Sequence, residues 1–431
     1  MSGAPISLSD IAHQIPSNDA DFHQQTVADL LGRRSLGFPG AQPVSFSRHH
    51  LLELRNTDYF MCEKTDGIRC LMFLTEIAGA EAQFLIDRKN DYYYVLTDSL
   101  HLPVPGNVGG HHLGTLLDGE LVRQSWKDKQ GNPHTRLAYL IFDLLAIDGE
   151  NITQKQFDKR LARLQERVVK PFKEFKARYP EDVAAQPFQV EMKRMEFPYG
   201  FEQMFRQTLP SLPHGNDGLI FTSREDPYTF GTDQKILKWK PPLENTIDFR
   251  LLLGAFPMLT DDEGAFEDWD AMPEMELHVN HGGGQSGYRY FANLTLNDDE
   301  WEALKRSGKQ IDGRVIECYG DPAMNGDVWR PKLDDGMPRF RDDKKDANHI
   351  STVESVLESI KGAVTEEDLI AESGNIRTPF KARQKAREDA EKRRVEEERR
   401  KVAEVPRRRE STSTATARAE DDDVGPVYTD E

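Results

Sequence analysis

The stretch Glu63-Lys64-Thr65-Asp66-Gly67-Ile68-Arg69 decides how the rest of the chain is read. It follows Tyr59-Phe60-Met61-Cys62, a partly apolar run with strand character. A charged ammonium is costly to bury, so a lysine here has two readings. It sits on the surface of an Asp-Gly turn, or it is a nucleophile whose pKa is lowered by partial burial and neighbouring cations. Arg69 would supply one such cation. In isolation the surface turn is the default, and the rest of the chain has to move it.

Working outward, five further blocks follow in order. They are Asp118-Gly119-Glu120, Tyr139-Leu140-Ile141-Phe142-Asp143 and Asp217-Gly218-Leu219-Ile220-Phe221. Leu237-Lys238-Trp239-Lys240-Pro241 and Arg339-Phe340-Arg341-Asp342-Asp343-Lys344 complete the set. Each alone is bland: strand polarity, a core aromatic, a solvated loop. Six in sequence, from Lys64 to Lys344, resemble the ordered motifs of the covalent nucleotidyltransferases, the superfamily of capping guanylyltransferases and ATP-dependent polynucleotide ligases.

The resemblance implies a role for each block, and the residue chemistry suits it. Lys64 would be the nucleophile with Arg69 beside it. Glu120 would accept the ribose hydroxyls, and Phe142 would stack on the base. Lys238 and Lys240 alternate around Trp239, so both ammonium groups face one side and would neutralise charge on the α-phosphate. Asp217 beside a phosphate suits Mg²⁺ or Mn²⁺. Arg341, Asp343 and Lys344 would swing over the nucleotide on a second domain and orient the leaving pyrophosphate. Arg88, in Ile86-Asp87-Arg88, resembles a family arginine that contacts the nucleotide. Thr65 and Lys193 are candidates for reading guanine, which needs groups that hydrogen-bond its O6 and N2.

Within the superfamily the chain resembles the capping branch, in its stand-alone fungal-type alpha subunit. The fourth block is Asp-Gly rather than the Glu-Gly usual in ligases, Thr65 follows the lysine, and Asn245-Thr246-Ile247-Asp248-Phe249 follows the fifth block. Lys64 lies too early for a large preceding DNA-binding domain. Nor is there room for a fused cysteine phosphatase, since Ile68 stands where a Cys-x5-Arg loop starting at Cys62 would need arginine. The resemblance thus implies transfer of GMP from GTP, through a Lys64–GMP adduct, to 5′-diphosphate RNA. It also implies a separate RNA 5′-triphosphatase as beta subunit, contact with the phosphorylated C-terminal repeats of RNA polymerase II, and a nuclear location. The basic clusters Lys392-Arg393-Arg394 and Arg407-Arg408-Arg409 would fit that location. A ligase of the same superfamily and a non-catalytic capping scaffold are the alternatives.

The bulk numbers bound these readings. The 431 residues are 37% hydrophobic and 30% charged, enough for two cores and a polar extension. No apolar run reaches membrane-spanning length, and Met1–Pro5 lacks the basic and apolar blocks of a secretory signal. Cys62, Cys70 and Cys318 show no metal-binding spacing. The formal net charge is −18, and residues 371–431 hold 15 basic and 15 acidic side chains, so the acidity lies in the body. An acidic body argues against wrapping long duplex.

The expected fold is α+β. A nucleotidyltransferase domain with antiparallel sheets spans 1–245; a β-barrel of the oligonucleotide-binding kind with a closing helix, a sandwich being the alternative, spans 246–365; and a charged helical or disordered tail spans 366–431. Helix is expected near 22–31 and over 157–175, where Phe157, Leu161, Leu164, Val168, Phe172 and Phe175 recur at helical steps. A hairpin joins 84–86 to 92–95, and strands are expected at 116–122 and 137–145. Pro241-Pro242 marks the boundary. Beyond it come short strands near 247–256, 275–279, 288–296 and 315–319, interrupted by a helix capped by Asn297 and Glu300.

Overall fold

A computed structural model describes residues 6–404 apart from 96–99, 263, 322, 323 and 325. Met1–Pro5, the Arg407–Arg409 cluster and the serine-, threonine- and aspartate-rich last 25 residues lie outside the described residues.

The first 240 residues open with α1 (Ser17–Leu30), β1 (Ala41–Ser45), α2 (His50–Asn56), β2 (Tyr59–Thr65), β3 (Ile68–Ile77) and β4 (Ala80–Ile86). Then come β5 (Tyr92–Val95), β6 (Thr115–Lys127), β7 (Pro133–Ile147), α3 (Phe157–Leu164), α4 (Lys170–Arg178), β8 (Gln189–Met192), β9 (Asn216–Ser223) and β10 (Gly231–Trp239). A large sheet runs β5-β4-β3-β6-β7 with antiparallel neighbours, and β8 pairs with β7 in parallel. A four-stranded sheet runs β1-β10-β9-β2, with β1 parallel to β10.

Strand alternation distributes the cores. Cys70, Met72 and Leu74 of β3 enter one cluster with Leu164, Val168, Phe172 and Phe175 of the α3–α4 region. Leu71 and Phe73 point the other way, into a second cluster with Val27 and Leu31. The large sheet is therefore covered on both faces. The expected 157–175 helix forms with all six stripe residues buried, as α3 and α4 joined through a π turn over Gln165–Val169. Capping sets the ends of few of these elements; burial of the apolar stripe carries most of their stability.

The remaining strands are β11 (Thr246–Leu253), β12 (Met275–Asn280), β13 (Tyr288–Asn293), β14 (Val315–Gly320) and β15 (Trp329–Pro331). They run in the order β13-β12-β11-β14-β15. Leu294 bridges Trp329 and the Thr295 N–H donates to the Trp329 carbonyl, so the first and last strands meet and the sheet closes into a barrel. Between β13 and β14 lies α5 (Asp298–Ser307), with the expected capping box: Glu300 N donates to Asn297 Oδ1 at 2.8 Å and Asn297 N to Glu300 Oε2 at 2.8 Å. Helix α6 (Ile350–Lys361) packs Val353 into the barrel core.

The last helix, α7 (Glu366–Glu404), departs from the expectation of a charged tail beginning at 366. Its first turns bury Leu369, Ile376 and Phe380, the first two in one cluster with Phe201 and Trp239. Arg55 holds Glu372 at 2.6 Å and Arg48 holds Asp368 at 2.9 Å. Of the described residues, those up to Phe380 form one compact unit and those from Lys381 to Glu404 a second, in which the helix carries largely exposed charge. The charge-rich composition hides three apolar side chains, Leu369, Ile376 and Phe380, that recur at helical spacing.

Candidate active site

Strand β2 ends at Lys64 and Thr65, and β9 runs antiparallel beside it. The β2–β9 register breaks between Asn216 and Leu219, so Asp217-Gly218 forms a bulge opposite the lysine. Gly218 has φ +142°, and a Cβ there would stand 2.0 Å from the Trp239 carbonyl oxygen. Only glycine fits that close approach. The bulge aims the Asp217 carboxylate at two cations: Oδ1 lies 2.6 Å from Lys64 Nζ and Oδ2 lies 2.8 Å from Lys240 Nζ. Burial raises the Asp217 pKa, but hydrogen bonds from Lys240 and Lys64 outweigh it and hold the carboxylate below its usual range. Lys238, two residues before Lys240, has no ion partner among the described residues. Burial, then the charges of Lys240, Lys64 and Arg88, push its pKa down.

Behind Lys64 opens a cleft of about 740 Å³, lined by Thr65, Arg69, Arg88, Glu120, Phe142 and Lys193 among others. Lys193 is buried and donates to Thr65 Oγ1 and to the Glu63 carbonyl at 3.3 Å, with Glu120 Oε2 at 3.5 Å. The Lys193 ammonium and the Arg69 guanidinium lie 5.4 and 5.5 Å from the Phe142 ring centroid. Cys62 also lines the cleft, but burial pushes its thiol up to about 12, so it offers no thiolate near neutral pH.

Arg69 is fixed by residues outside the predicted set. Asp118 takes it bidentately, Nε to Oδ1 at 3.1 Å and Nη2 to Oδ2 at 2.7 Å, and Nη1 donates to the Ala41 carbonyl. Tyr228 donates to Asp118 Oδ2 at 2.7 Å and accepts from Ala41 N at 2.8 Å. Burial alone would lower the Arg69 pKa, but the Asp118 charge raises it overall. Asp118 stands in a motif already recognised, and its burial next to an arginine is the signal that marks it. Tyr228 lies in the loop between β9 and β10, and nothing in its local sequence marks it.

Of the residues singled out from sequence, Lys64, Thr65, Arg69, Arg88, Glu120, Phe142 and Lys193 share the cleft. Asp217, Lys238 and Lys240 gather at Lys64. Arg341, Asp343 and Lys344 do not join them. Arg341 holds Asp343 and reaches Asp248 at 3.3 Å and Glu317 at 3.6 Å, and Lys344 binds Asp248, all on the barrel. Among the described residues no group of three histidine, cysteine or acidic side chains forms a cage for a metal ion.

A lysine amine aimed by a bulged carboxylate, with further cations at hand and an aromatic cleft behind it, is the apparatus of a nucleotidyltransferase. Comparison with known proteins narrows this. Residues 9–242 match the family model for the mRNA capping enzyme catalytic domain, and residues 244–370 match that for the mRNA capping enzyme C-terminal domain. The mRNA-capping enzyme subunit alpha of Neurospora crassa is 44% identical over 402 residues, covering 89% of this chain and 97% of its own. The Schizosaccharomyces pombe subunit alpha is 42% identical over 375 residues, covering 86% and 88%. Among solved structures, a mycobacterial DNA ligase D complexed with ATP overlaps 71% of this chain and 95% of its own, at 16% identity and a TM-score of 0.34, too loose a match to build on. The chain belongs to the mRNA-capping enzyme family, as a guanylyltransferase of its alpha-subunit type.

Proposed function

We propose that Lys64 takes GMP from GTP and passes it to the diphosphate end of an RNA, leaving a GpppN cap. The observation that supports this most is the Lys64–Asp217–Lys240 contact at the mouth of the cleft. Attack requires a neutral amine, and Asp217 Oδ1 is within reach of the Lys64 proton. The amine nitrogen bonds to the α-phosphorus of GTP, the α–β bridging P–O bond breaks, and pyrophosphate departs with the electron pair. The terminal phosphate oxygen of the RNA then attacks the same phosphorus. The N–P bond breaks and the amine regains its proton. Lys238 and Lys240 neutralise charge that develops on the phosphate oxygens, and such positioning carries most of the catalysis in phosphoryl-type transfers.

Glu120 and Phe142 are assigned to ribose and base, and Thr65 with Lys193 to guanine. Arg88, which lines the same cleft, is assigned to contact with the nucleotide. A divalent cation, Mg²⁺ or Mn²⁺, would be held by Asp217 together with phosphate oxygens and would supply further charge neutralisation. A single carboxylate without a protein cage suits Mg²⁺, which binds through one or two carboxylates plus substrate phosphates. Arg341, Asp343 and Lys344 sit on the barrel around Asp248, so their part in the first step requires the barrel to close over the cleft. The alpha-subunit relatives support a separate triphosphatase partner. The polymerase repeats and a nuclear location belong to the same reading.

The test is adduct formation without RNA. Protein, divalent metal and α-labelled GTP or ATP are mixed and run on a denaturing gel. Acid-labile, alkali-stable label from GTP alone, absent in Lys64→Ala, is the expected result. Label from ATP instead would turn the assignment to ligation, and label persisting in Lys64→Ala would remove Lys64 as nucleophile.

A further inference from the structure

Phe142 gives the cleft its aromatic face, yet the sheet does not fix that residue. The register of β7 against β6 pairs Ile141 with Gly119 and Asp143 with Asp118, so Phe142 is an extra residue without a partner, a bulge. Pairing of β7 with β8 also ends at Ile141, whose carbonyl accepts from Lys193 N at 2.8 Å. From Phe142 to Leu145 only β6 lies alongside as a strand among the described residues. Phe142 and Asp143 both line the cleft. Strict alternation along a strand forbids that, and a bulge allows it. The ladder therefore anchors the chain firmly before Phe142 and weakly after it, and a side chain supplies the second anchor.

That side chain is Asp143, and Arg160 of α3 holds it. Arg160 Nε donates to Asp143 Oδ1 and Nη2 to Oδ2, both at 2.8 Å, and both residues are buried. Asp143 Oδ1 also accepts from Leu144 N at 2.8 Å. Arg160 is caged in turn. Its Nη1 donates to the Lys155 carbonyl at 2.7 Å and the Asp226 carbonyl at 3.2 Å. The guanidinium lies 5.2 Å from the Phe157 ring centroid and 5.6 Å from that of Tyr228, and both rings line the cleft. Tyr228 is pinned separately, by Asp118 and by Ala41 N. A two-point fork fixes a carboxylate in angle as well as distance. Stability alone does not call for it, since apolar side chains of the same volume often serve a core as well as a buried ion pair.

We propose that Arg160 is a positioning residue for the nucleotide: through Asp143 it sets the angle at which the Phe142 ring meets the base, and so sets the affinity for GTP without touching it. Stacking depends on the plane and offset of the two rings. The bulge leaves Phe142 free to tilt, and the clamped carboxylate one residue on removes that freedom. The assignment rests on the capping reaction above, in which Phe142 stacks on the guanine of GTP. One base–aromatic stack corresponds to roughly 5- to 150-fold in affinity, which bounds what the clamp can contribute.

The test separates base from phosphate. Adduct formation is followed against GTP concentration, with inorganic tripolyphosphate, which has phosphates and no base, as competitor. Arg160→Lys keeps the charge and loses the fork. It is expected to raise KM for GTP roughly 5- to 20-fold, part of one stack, with kcat and the tripolyphosphate inhibition constant within about twofold of the parent. Phe142→Ala should raise KM by the whole stack, and Arg160→Lys added to Phe142→Ala should raise it no further, because the two act through one ring. Arg160→Met with Asp143→Asn removes both charges and keeps an acceptor for Leu144 N, so the same comparison can be made on it if Arg160→Lys does not fold. An unchanged KM, a tripolyphosphate constant that shifts as far as KM, or additive losses in the Phe142→Ala background would each overturn the proposal, the last two by showing a general loosening of the core. If the parent forms no adduct, the capping reading falls, and calorimetric binding of GTP and of tripolyphosphate to parent and variants still decides the clamp. A parent that binds no GTP overturns both.

Discussion

Replacing Asp118 with asparagine keeps the shape of the Arg69 bracket and removes its charge. Asp118 is fully buried and the Arg69 side chain is 10% exposed, so the guanidinium would keep its burial and lose its counter-ion. Breaking a buried ion pair from one side costs about 3–5 kcal/mol, because the remaining charge is left uncompensated. Tyr228 would also exchange a charged acceptor for a neutral one. Asp118→Asn is therefore expected to lower the unfolding free energy by about 3–5 kcal/mol, read from urea denaturation followed by circular dichroism. Arg69→Met with Asp118→Asn removes the stranded charge, so the double variant should be more stable than Asp118→Asn alone. Neither should form the GMP adduct efficiently, since Arg69 no longer lies fixed against Phe142. A loss below about 1 kcal/mol, or strict additivity in the double variant, would refute the claim that Asp118 acts as a buried counter-ion.

Lys238→Met should make the protein more resistant to urea while adduct formation collapses, because the lysine is half-buried among like charges that depress its pKa; equal or lower resistance would count against that crowding. The same depression means the unfolded chain binds more protons than the folded one above the lowered Lys238 pKa and up to about 10.5. Stability relative to Lys238→Met should accordingly recover as pH rises through that window. His101 moves the other way: its hydrogen bond to Glu81 at 2.6 Å raises its pKa above 6.5. That contribution is complete below pH 6.5 and lost as pH climbs through the raised value. The stability gap between parent and His101→Gln should thus be wider at pH 6 than at pH 9, by denaturant titration. Removal of residues 381–431 should leave adduct formation and stability intact. Removal from 366 should destabilise the protein by uncovering Trp239 and its neighbours, as proteolysis rates would report.

The gathering of Lys64, Asp217 and Lys240 was legible from the sequence because its determinants are local. Lys64, Asp217 and the Lys238–Lys240 pair each sit in short strands where period-two alternation and a glycine decide what a side chain can face, and six such blocks in order admit few other readings. The barrel was legible for the same reason, from short strands separated by turns and a capped helix at Asn297.

Long-range partnership was decided by the fold. Tyr228 lies 110 residues from Asp118, and only the meeting of the two sheets makes them a hydrogen-bonded pair. The first turns of α7 look solvated because Leu369, Ile376 and Phe380 are diluted by charge, and their burial depends on a groove beside Trp239 that other segments build. The positions of Arg341, Asp343 and Lys344 show the same limit. Their identity is written in a motif, but whether they lie over the cleft or around Asp248 depends on how two packed bodies sit, and no local pattern encodes that. Hydrogen bonding and alternation act over a few residues and can be read along a chain. Counter-ions, platforms and domain placement arise from the tertiary packing of distant segments, and so appeared only with the structure.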